Sequence, residues 1–376
     1  MHKLIRRYHQ LKMIPLIAFS KVLSCFQKEK HWVLHERGTD ARDNAYFFYR
    51  YLKENHPEQK IYYIIDKKSE DFHKVAADAV QFGSLKNYWA IATAEKIIST
   101  HCFKGLPHMN AKLFRLCRLN QKFYFLQHGI TGNYLSQMHF DNAKIKMLFC
   151  AAQPEYDYML CRYGYPEKNL RYTGFARYDT LHNIRTKKQI LIMPTWRKNI
   201  SNENDLLASQ YYQRWNALLT DPHFAEYLSK NDLEAVFYPH FEMQKYLHKF
   251  QSGSERIILA DFARFDVQTL LKESLFLITD YSSVSFDFAY MRKPMAYFQF
   301  DPEEFFSKHY DRGYFSYSGM GFGPVVDSVS SVVEAIEQSA QNGFAPTSMY
   351  AGRMDKFFPL YDRNNCQRIY QCITEK

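Results

Sequence analysis

The sequence predicts an α/β protein built from two doubly wound domains with parallel sheets. Three observations predict this. Short β-rich apolar runs alternate with helix-like stretches along the chain, the pattern of strand–helix–strand units. The length of 376 residues suits about two domains at roughly 150 residues each. No segment repeats with a solenoid's period of about 20–50 residues.

The chain begins with a basic segment. Residues 1–30 hold seven cations against the single anion Glu29, so +6 of the formal net charge of +10 lies there. Leu4, Tyr8 and Leu11 form one stripe at helical spacing, and Leu16, Phe19, Leu23 and Phe26 form another after Pro15. The longest uncharged stretch within residues 1–30, Met13–Ser20, is too short to span a bilayer. Lys21 and the lack of a small-residue cleavage site argue against a signal peptide. Two readings stand: an interfacial helix pair on anionic lipid, or a helix packed on the body with a solvated basic face. The remainder of the chain is nearly balanced in charge, which argues against a nucleic-acid binder.

Strands are expected at Ile61–Ile65, Ile97–Thr100, Phe123–Gln127, Met147–Cys150, Ile190–Met193, Ala235–Tyr238, Ile257–Leu259, Leu275–Thr279 and Ala296–Gln299. Helices are expected over Asp43–Glu54, Leu85–Ala94, Gln153–Tyr163, Trp215–Leu228 and Phe286–Met291. The polar stretch Leu181–Gln189 precedes a fresh apolar strand and reads as a boundary. The expected organisation is a basic helical segment at 1–30, a first α/β domain at 31–185, a second at 186–345, and a helical tail at 346–376 that packs back. The seven cysteines are scattered, odd in number and free of any CxxC pair. A disulfide framework and a zinc knuckle are disfavoured, and a reducing, cytosolic compartment fits.

The chemistry collects at the expected strand ends. His128-Gly129 follows Phe123–Gln127, Thr195-Trp196-Arg197 follows Ile190–Met193, Pro239-His240 follows Ala235–Tyr238, and Asp280-Tyr281-Ser282-Ser283 follows Leu275–Thr279. Open parallel sheets bind ligands outside the carboxyl ends of their strands. Two domains facing across a cleft would place His128 on one wall and Arg197, His240 and Ser282 on the other. Ser282 or Ser283 can cap the following helix, whose free N–H groups suit a phosphate. Asp287 shares a helix face with Ser283 and can accept from polyol hydroxyls. An imidazole at His128, beside the permissive Gly129, can take a proton from a hydroxyl. Arg197 has the planar fork that phosphate favours, and Trp196 reads as core or cleft lining. Arg177 and Arg312 stand in turns and are further candidates. Taken singly, each of the 15 histidines reads better as a loop-end hydrogen-bonding group, and a Ser-Ser pair as an ordinary cap. The chain contains no P-loop, GxGxxG, HExxH, GxSxG or D-x-D pattern. No cofactor or metal is therefore expected, and phosphate charge would fall to Arg, His and helix dipoles.

The segments LQHGI (126–130), GYPEKNLRYTGFARYD (164–179), MPTWR (193–197), YPH (238–240) and ITDYSSVSFDFAYMRKPMAYFQFD (278–301) together resemble the CDP-glycerol glycerophosphotransferase family. YDRGYF (310–315) and FFPLYDRNNCQRI (357–369) fit as well, with a weaker match at 84–100. The resemblance spans roughly residues 35–373 and implies a two-domain GT-B fold. It implies transfer of an alditol phosphate, glycerol phosphate first, from a CDP-alditol to a lipid-linked or glycan acceptor, releasing CMP. It maps the base to His128 and a donor-side histidine to His240. It also maps donor contacts to Ser282, Ser283 and Asp287, an arginine to Arg177, and a turn to Thr195, Trp196 and Arg197. The substrate-binding set is completed by Gln127, Gly129, Ile130, Thr131, Tyr238, Pro239, Asp280 and Arg312. Family members act peripherally at the cytoplasmic face of the membrane, which favours the lipid reading of residues 1–30. Many teichoic acid members carry Trp before the histidine and Thr-Pro after the glycine, where this sequence has Gln127 and Ile130-Thr131. The sequence also holds no large additional domain of the kind some polymerising members carry, so addition of one unit, or extension of a capsule-type glycan, is expected alongside polymerisation. A GT-B glycosyltransferase using a nucleotide sugar, and a non-catalytic lipid- or glycan-binding subunit, are the competing readings.

Overall fold

A computed structural model describes residue 15 and residues 30–182 and 184–375. The basic segment expected over 1–30 lies outside the described residues apart from Pro15 and Lys30. The chain divides into two compact units. One comprises the residues up to Ile130, Ser136–Thr180 and Asp362 onward, and the other comprises Thr131–Leu135 and Leu181–Tyr361.

The first unit holds seven parallel strands: β1 (Trp32–His35), β2 (Ile61–Ile65), β3 (Ala79–Gln81), β4 (Lys96–Ser99), β5 (Phe123–Phe125), β6 (Met147–Cys150) and β7 (Leu170–Tyr172). Their spatial order is β3-β2-β1-β4-β5-β6-β7. The order reverses between β1 and β4, the topological switch point of a Rossmann-like sheet. Most of these strands are buried along their length because helices cover both faces, so they read as continuous apolar runs. The core gathers Trp32, Phe48, Tyr63, Ile98 and Phe149 with Cys366, Ile369 and Ile373 of the last helix, Asn365–Thr374.

The second unit repeats the plan with β8 (Gln189–Ile192), β9 (Glu234–Phe237), β10 (Ile257–Leu259), β11 (Phe276–Thr279), β12 (Met295–Phe298) and β13 (Val325–Val326). The order is β10-β9-β8-β11-β12-β13, all parallel, with the reversal between β8 and β11. Trp215 is its largest buried side chain and packs edge-to-face on Phe298.

Differences from the expected elements have local causes. The stretch Trp215–Leu228 is not one helix. Asp221 accepts from Phe224 N at 2.7 Å and Pro222 opens a new helix, so Gln210–Leu219 and Pro222–Lys230 are separate. The tail holds two helices, Ser348–Phe357 and Asn365–Thr374, and the second belongs to the first unit. Its seat is the segment Thr173–Asp179. Asp179 accepts from Asn365 N, Asn365 Nδ2 and Cys366 N at 2.7–2.9 Å, capping the helix from outside. Arg368 donates to Thr173 O at 2.9 Å. Gly174 has φ +80, and a Cβ there would stand 1.7 Å from Asn365 Oδ1, so only glycine fits.

Candidate active site

The polar residues at each carboxyl edge follow from how the strands end. In the first unit, β5 runs into Leu126 and then Gln127, which adopts a left-handed φ of +56. That turn carries His128 out of the sheet. Gln127 is 1% exposed, and its side chain donates to Phe149 O at 2.8 Å and to Glu155 Oε1 at 3.2 Å. Its carbonyl accepts from Asn44 Nδ2 at 2.8 Å. Expected as a substrate contact, Gln127 is a strut that holds the turn. Ile130 is likewise buried.

His128 is exposed. Its Nδ1 lies 3.4 Å from Thr100 O, a carbonyl that can only accept, so the ring proton sits on Nδ1 and the lone pair on Nε2. The protein packed around the ring lowers its pKa, as do Arg37 and Arg177 to a smaller degree, while Asp43 and the Thr100 carbonyl raise it. The ring is therefore neutral near pH 7. His101, which sequence reasoning did not single out, stacks on it with centroids 4.6 Å apart and planes 11° apart. Arg37 Nε donates to His101 Nε2 at 3.2 Å, and His101 Nδ1 lies 2.9 Å from Thr100 Oγ1. Burial drives the pKa of His101 well down, with His128 and Arg37 adding to the effect. His101 follows the expected strand Ile97–Thr100, so the rule that located His128 locates it too.

Asp43 is fixed at the start of the helix Asn44–Asn55. Glu36, buried after β1, accepts from the backbone N–H groups of Arg42, Asp43 and Tyr46 at 2.8–3.2 Å. Burial, with Asp43 nearby, pushes the Glu36 carboxyl up to about 8. Arg177 is 2% exposed and pairs with Asp43 at 2.9 Å, so it tunes the His128 surroundings from behind.

In the second unit, Arg197 does not present its fork to solvent. It is 3% exposed, with Nε donating to Asp301 Oδ2 at 3.0 Å and Nη2 to Asp301 Oδ1 at 3.1 Å and Asp280 Oδ2 at 2.9 Å. Nη1 donates to Thr195 O at 2.8 Å. Asp280 is fully buried and also accepts from Thr195 N and Tyr281 N. Burial raises the Asp280 pKa and Arg197 opposes it. The expected phosphate ligand is instead a bracket that ties together the ends of β8, β11 and β12. Asp301, missed in the sequence, closes it. Thr195 is buried within the same bracket.

His240 follows the buried pair Tyr238-Pro239. Its Nδ1 accepts from Glu242 N at 3.3 Å, which places the ring proton on Nε2. Trp196 is half-buried, stacks on His240 with centroids 6.0 Å apart, and makes a T-shaped contact with His309 at 4.8 Å. His309, also missed, accepts from Lys198 N at 3.1 Å, and burial with Arg197 close by holds its pKa down at about 3.

Ser283 is exposed and makes no cap hydrogen bond, and Ser282 Oγ stands 3.5 Å from Val284 N. The pair is thus not consumed in capping the helix Val284–Tyr290. Asp287 is 4% exposed, so the expected polyol contact lies under the surface. Arg312 is exposed, stacked 4.1 Å over Phe306, at a cavity of about 380 Å³ lined also by Gln299, Tyr314, Ser316 and Ser318. Thr131 belongs to a short strap, residues 131–135, in which Tyr134 N donates to Asp311 O at 3.0 Å. Gly313 meets this strap so closely that a Cβ would stand 2.1 Å from Gly132 O.

Among the described residues no group of three or more His, Cys, Asp or Glu is placed to hold a metal ion, and no helix is long and apolar enough to cross a membrane.

Two doubly wound α/β units with polar clusters at their carboxyl edges define a GT-B-like fold. The wall teichoic acid polymerase TagF superposes with a TM-score of 0.69 at 17% identity, over 99% of this chain and 97% of that one. The chain belongs to the family described as CDP-Glycerol:Poly(glycerophosphate) glycerophosphotransferase, whose pattern matches residues 17–375. It is 33% identical over 371 residues to the minor teichoic acid biosynthesis protein GgaB of Bacillus subtilis (strain 168), covering 94% of this chain and 41% of that protein. It is 26% identical to the teichoic acid poly(glycerol phosphate) polymerase of the same strain, covering 88% of this chain and 46% of that protein. The chain thus spans less than half the length of these curated relatives.

Proposed function

We propose that the protein transfers an alditol phosphate, glycerol phosphate in the first instance, from a CDP-alditol to a hydroxyl of a membrane-linked or glycan acceptor. Family membership supports the reaction class, and a TagF structure obtained after a CDPG soak supports a CDP-linked donor. The observation that carries the reading is the placement of His128, exposed just beyond β5 with Nδ1 3.4 Å from the Thr100 carbonyl, a contact that assigns the lone pair to Nε2.

His128 Nε2 takes the proton of the acceptor hydroxyl. The acceptor oxygen forms a bond to the β-phosphorus of the donor, and the bond from that phosphorus to the bridging oxygen breaks. CMP leaves with the bridging oxygen and its electron pair. His240 Nε2–H and the hydroxyls of Ser282 and Ser283 are assigned to the donor phosphates, where donors aimed at developing charge act without reorganising. Asp43 and Arg177 set the basicity of His128. Arg197, Asp280 and Asp301 hold the strand ends that carry the donor contacts. No cofactor or metal enters the scheme, because these donors meet the phosphate charge. The setting is the cytoplasmic face of the membrane, with the basic segment 1–30 meeting anionic lipid.

The test is to incubate the protein with CDP-glycerol and CDP-ribitol separately, each with membrane lipid extract, and to measure CMP by chromatography. Acceptor-dependent CMP release from one donor is expected, and it names the alditol. No CMP from either donor, with a UDP-, GDP- or CMP-sugar turning over instead, refutes alditol phosphate transfer in favour of glycosyl transfer.

A further inference from the structure

The strand order of the first sheet reverses between β1 and β4, and such a crevice is where an open parallel sheet takes its ligand. His35 ends β1, Ser99 ends β4, and the two are register partners. Two residues beyond each of them, Arg37 and His101 meet across the crevice, where Arg37 Nε donates to His101 Nε2 at 3.2 Å. His101 in turn stacks on His128, with centroids 4.6 Å apart. An arginine, an orienting imidazole and the group assigned as base thus stand in a row on one carboxyl edge.

The arginine is oriented and still presented to water. His101 engages it through Nε alone, and His101 Nδ1 lies 2.9 Å from Thr100 Oγ1. With Nε2 accepting, Nδ1 carries the ring proton, so the bond to Arg37 needs no charge on the imidazole. Arg37 Nη1 stands 3.7 Å from Asp40 Oδ2, beyond hydrogen-bond length, and 43% of the arginine side chain is exposed. A loose surface pair of that kind contributes little, whereas a guanidinium edge binds a phosphate through two parallel hydrogen bonds. The buried arginines differ: Arg177 and Arg197 meet carboxylates at 2.9–3.0 Å with only 3–4% of their side chains exposed. The turn that carries Arg37 is fixed. Gly38 has φ +88, and a Cβ there would stand 2.6 Å from the Phe82 ring. After burial, the groups that press the His101 pKa down are His128, Arg37, His35 and Lys104, so the field in the crevice is positive.

We propose that Arg37, oriented by His101, binds a phosphodiester of the acceptor, one alditol away from the hydroxyl that His128 deprotonates. The acceptor class this selects is the end of an alditol phosphate chain, in preference to an uncharged glycan. Arg37 touches the substrate, and His101 is a positioning residue that acts through it. The assignment rests on the reading above for the role of His128, and its test involves no turnover.

The experiment titrates the full chain, without donor, with a synthetic tetramer of glycerol phosphate and with uncharged tetraglycerol, read by calorimetry. Saturable binding is expected for the charged tetramer and not for the uncharged one. Arg37→Ala should weaken the charged tetramer about 10–100-fold, the span for hydrogen bonds to a charged group. His101→Gln offers an amide oxygen to Arg37 Nε, and His101→Phe keeps a ring on His128 but offers no acceptor. His101→Gln should therefore bind the tetramer more tightly than His101→Phe, whereas a purely stacking role predicts the reverse order and would overturn the positioning. The proposal is also overturned if the parent shows no saturable binding, or if Arg37→Ala binds within about twofold of the parent. Arg37→Ala sparing the tetramer while raising the KM for the CDP-alditol would overturn it by placing Arg37 on the donor. A chain that binds the tetramer through Arg37 yet releases no CMP from any CDP-alditol upholds the site and refutes the reaction class, so the two failures are told apart.

Discussion

Replacing Arg197 with leucine should destabilise the second unit more than removing either of its acidic partners. Asp280 is fully buried and Asp301 is 6% exposed, and both lean on one guanidinium. Deleting the cation leaves two buried carboxylates facing each other. Breaking one buried pair costs about 3–5 kcal/mol, so Arg197→Leu should cost at least about 5 kcal/mol. Asp301→Asn differs in kind. It leaves the Arg197–Asp280 pair intact and brings the bracket from a net charge of −1 to neutrality. Its amide oxygen can still accept one of the two guanidinium bonds but its NH2 can accept neither, so its cost is one lost charged hydrogen bond, about 1.5–3 kcal/mol. With an m-value near 2 kcal/mol per molar urea, the midpoint should fall by ~2.5 M for Arg197→Leu and ~1 M for Asp301→Asn. Urea unfolding read by the fluorescence of Trp196 and Trp215 measures both. The reasoning is refuted if Arg197→Leu keeps the parent midpoint while raising the KM for the CDP-alditol. That result would make Arg197 a phosphate ligand and not a bracket.

His128→Ala should lower CMP release by roughly 10²–10⁴-fold with an unchanged circular dichroism spectrum, and near-parental turnover would remove it from the base role. The acid limb of the rate profile should lie below pH 6.5, since the His128 pKa is lowered in the fold. Asp43→Asn should move that limb lower still, because the Asp43 charge is what holds the pKa up; a limb that moves to higher pH contradicts the assignment. Gly174→Ala should cost more than about 2 kcal/mol by unseating the last helix, given its positive φ and the clash with Asn365. Proteolysis that does not release the C-terminal helix faster would argue otherwise. Burial holds His309 at about 3 in the fold against an ordinary value of 6.5. The unfolded chain therefore takes up the proton first. Stability from this group is full above pH 6.5 and falls as pH drops toward 3, by at most about 1.4 kcal/mol per unit. Urea midpoints at pH 7 and pH 5 should differ less in His309→Asn than in the parent, and an equal difference would show that His309 is not buried neutral.

How much of this was legible in the sequence depended on the distance over which each feature is decided. Met147–Cys150 and Ile257–Leu259 were legible because a buried parallel strand is an apolar run bounded by turn residues. β1, β3, β7 and β13 were not. β3 and β13 are three and two residues long, and β7 carries Arg171 at the sheet edge. The Asp221-Pro222 helix break was present as a cap-and-proline signal but was overridden by the apolar stripe across it. Site positions were legible, since ligand-facing residues follow strand ends. Whether a side chain is presented or already engaged was not. Arg197 is engaged by Asp301, 104 residues away, and Gln127 by Glu155, 28 residues away. Asp287 is 4% exposed on its helix. No local pattern encodes such pairings.

The two histidines assigned to the chemistry are distinguished by their backbone partners and not by their ring surroundings. His128 sits against a carbonyl, which forces Nδ1 to donate and leaves Nε2 basic. His240 sits against a backbone N–H, which forces Nδ1 to accept and leaves Nε2 carrying the proton. One imidazole is thereby set to receive a proton and the other to donate a hydrogen bond, with no need for opposite charge states. The same logic explains the fate of the arginines. A free guanidinium near His128 would lower its pKa further, and Arg177 is offset by Asp43 at 2.9 Å. In the second unit Arg197 is closed off by two carboxylates, Asp280 and Asp301. Each unit engages its buried arginine with its own carboxylates and leaves directional imidazole and hydroxyl groups at its carboxyl edge. Such groups discriminate between a ground-state diphosphate and a transition state by geometry, which a diffuse positive field does poorly.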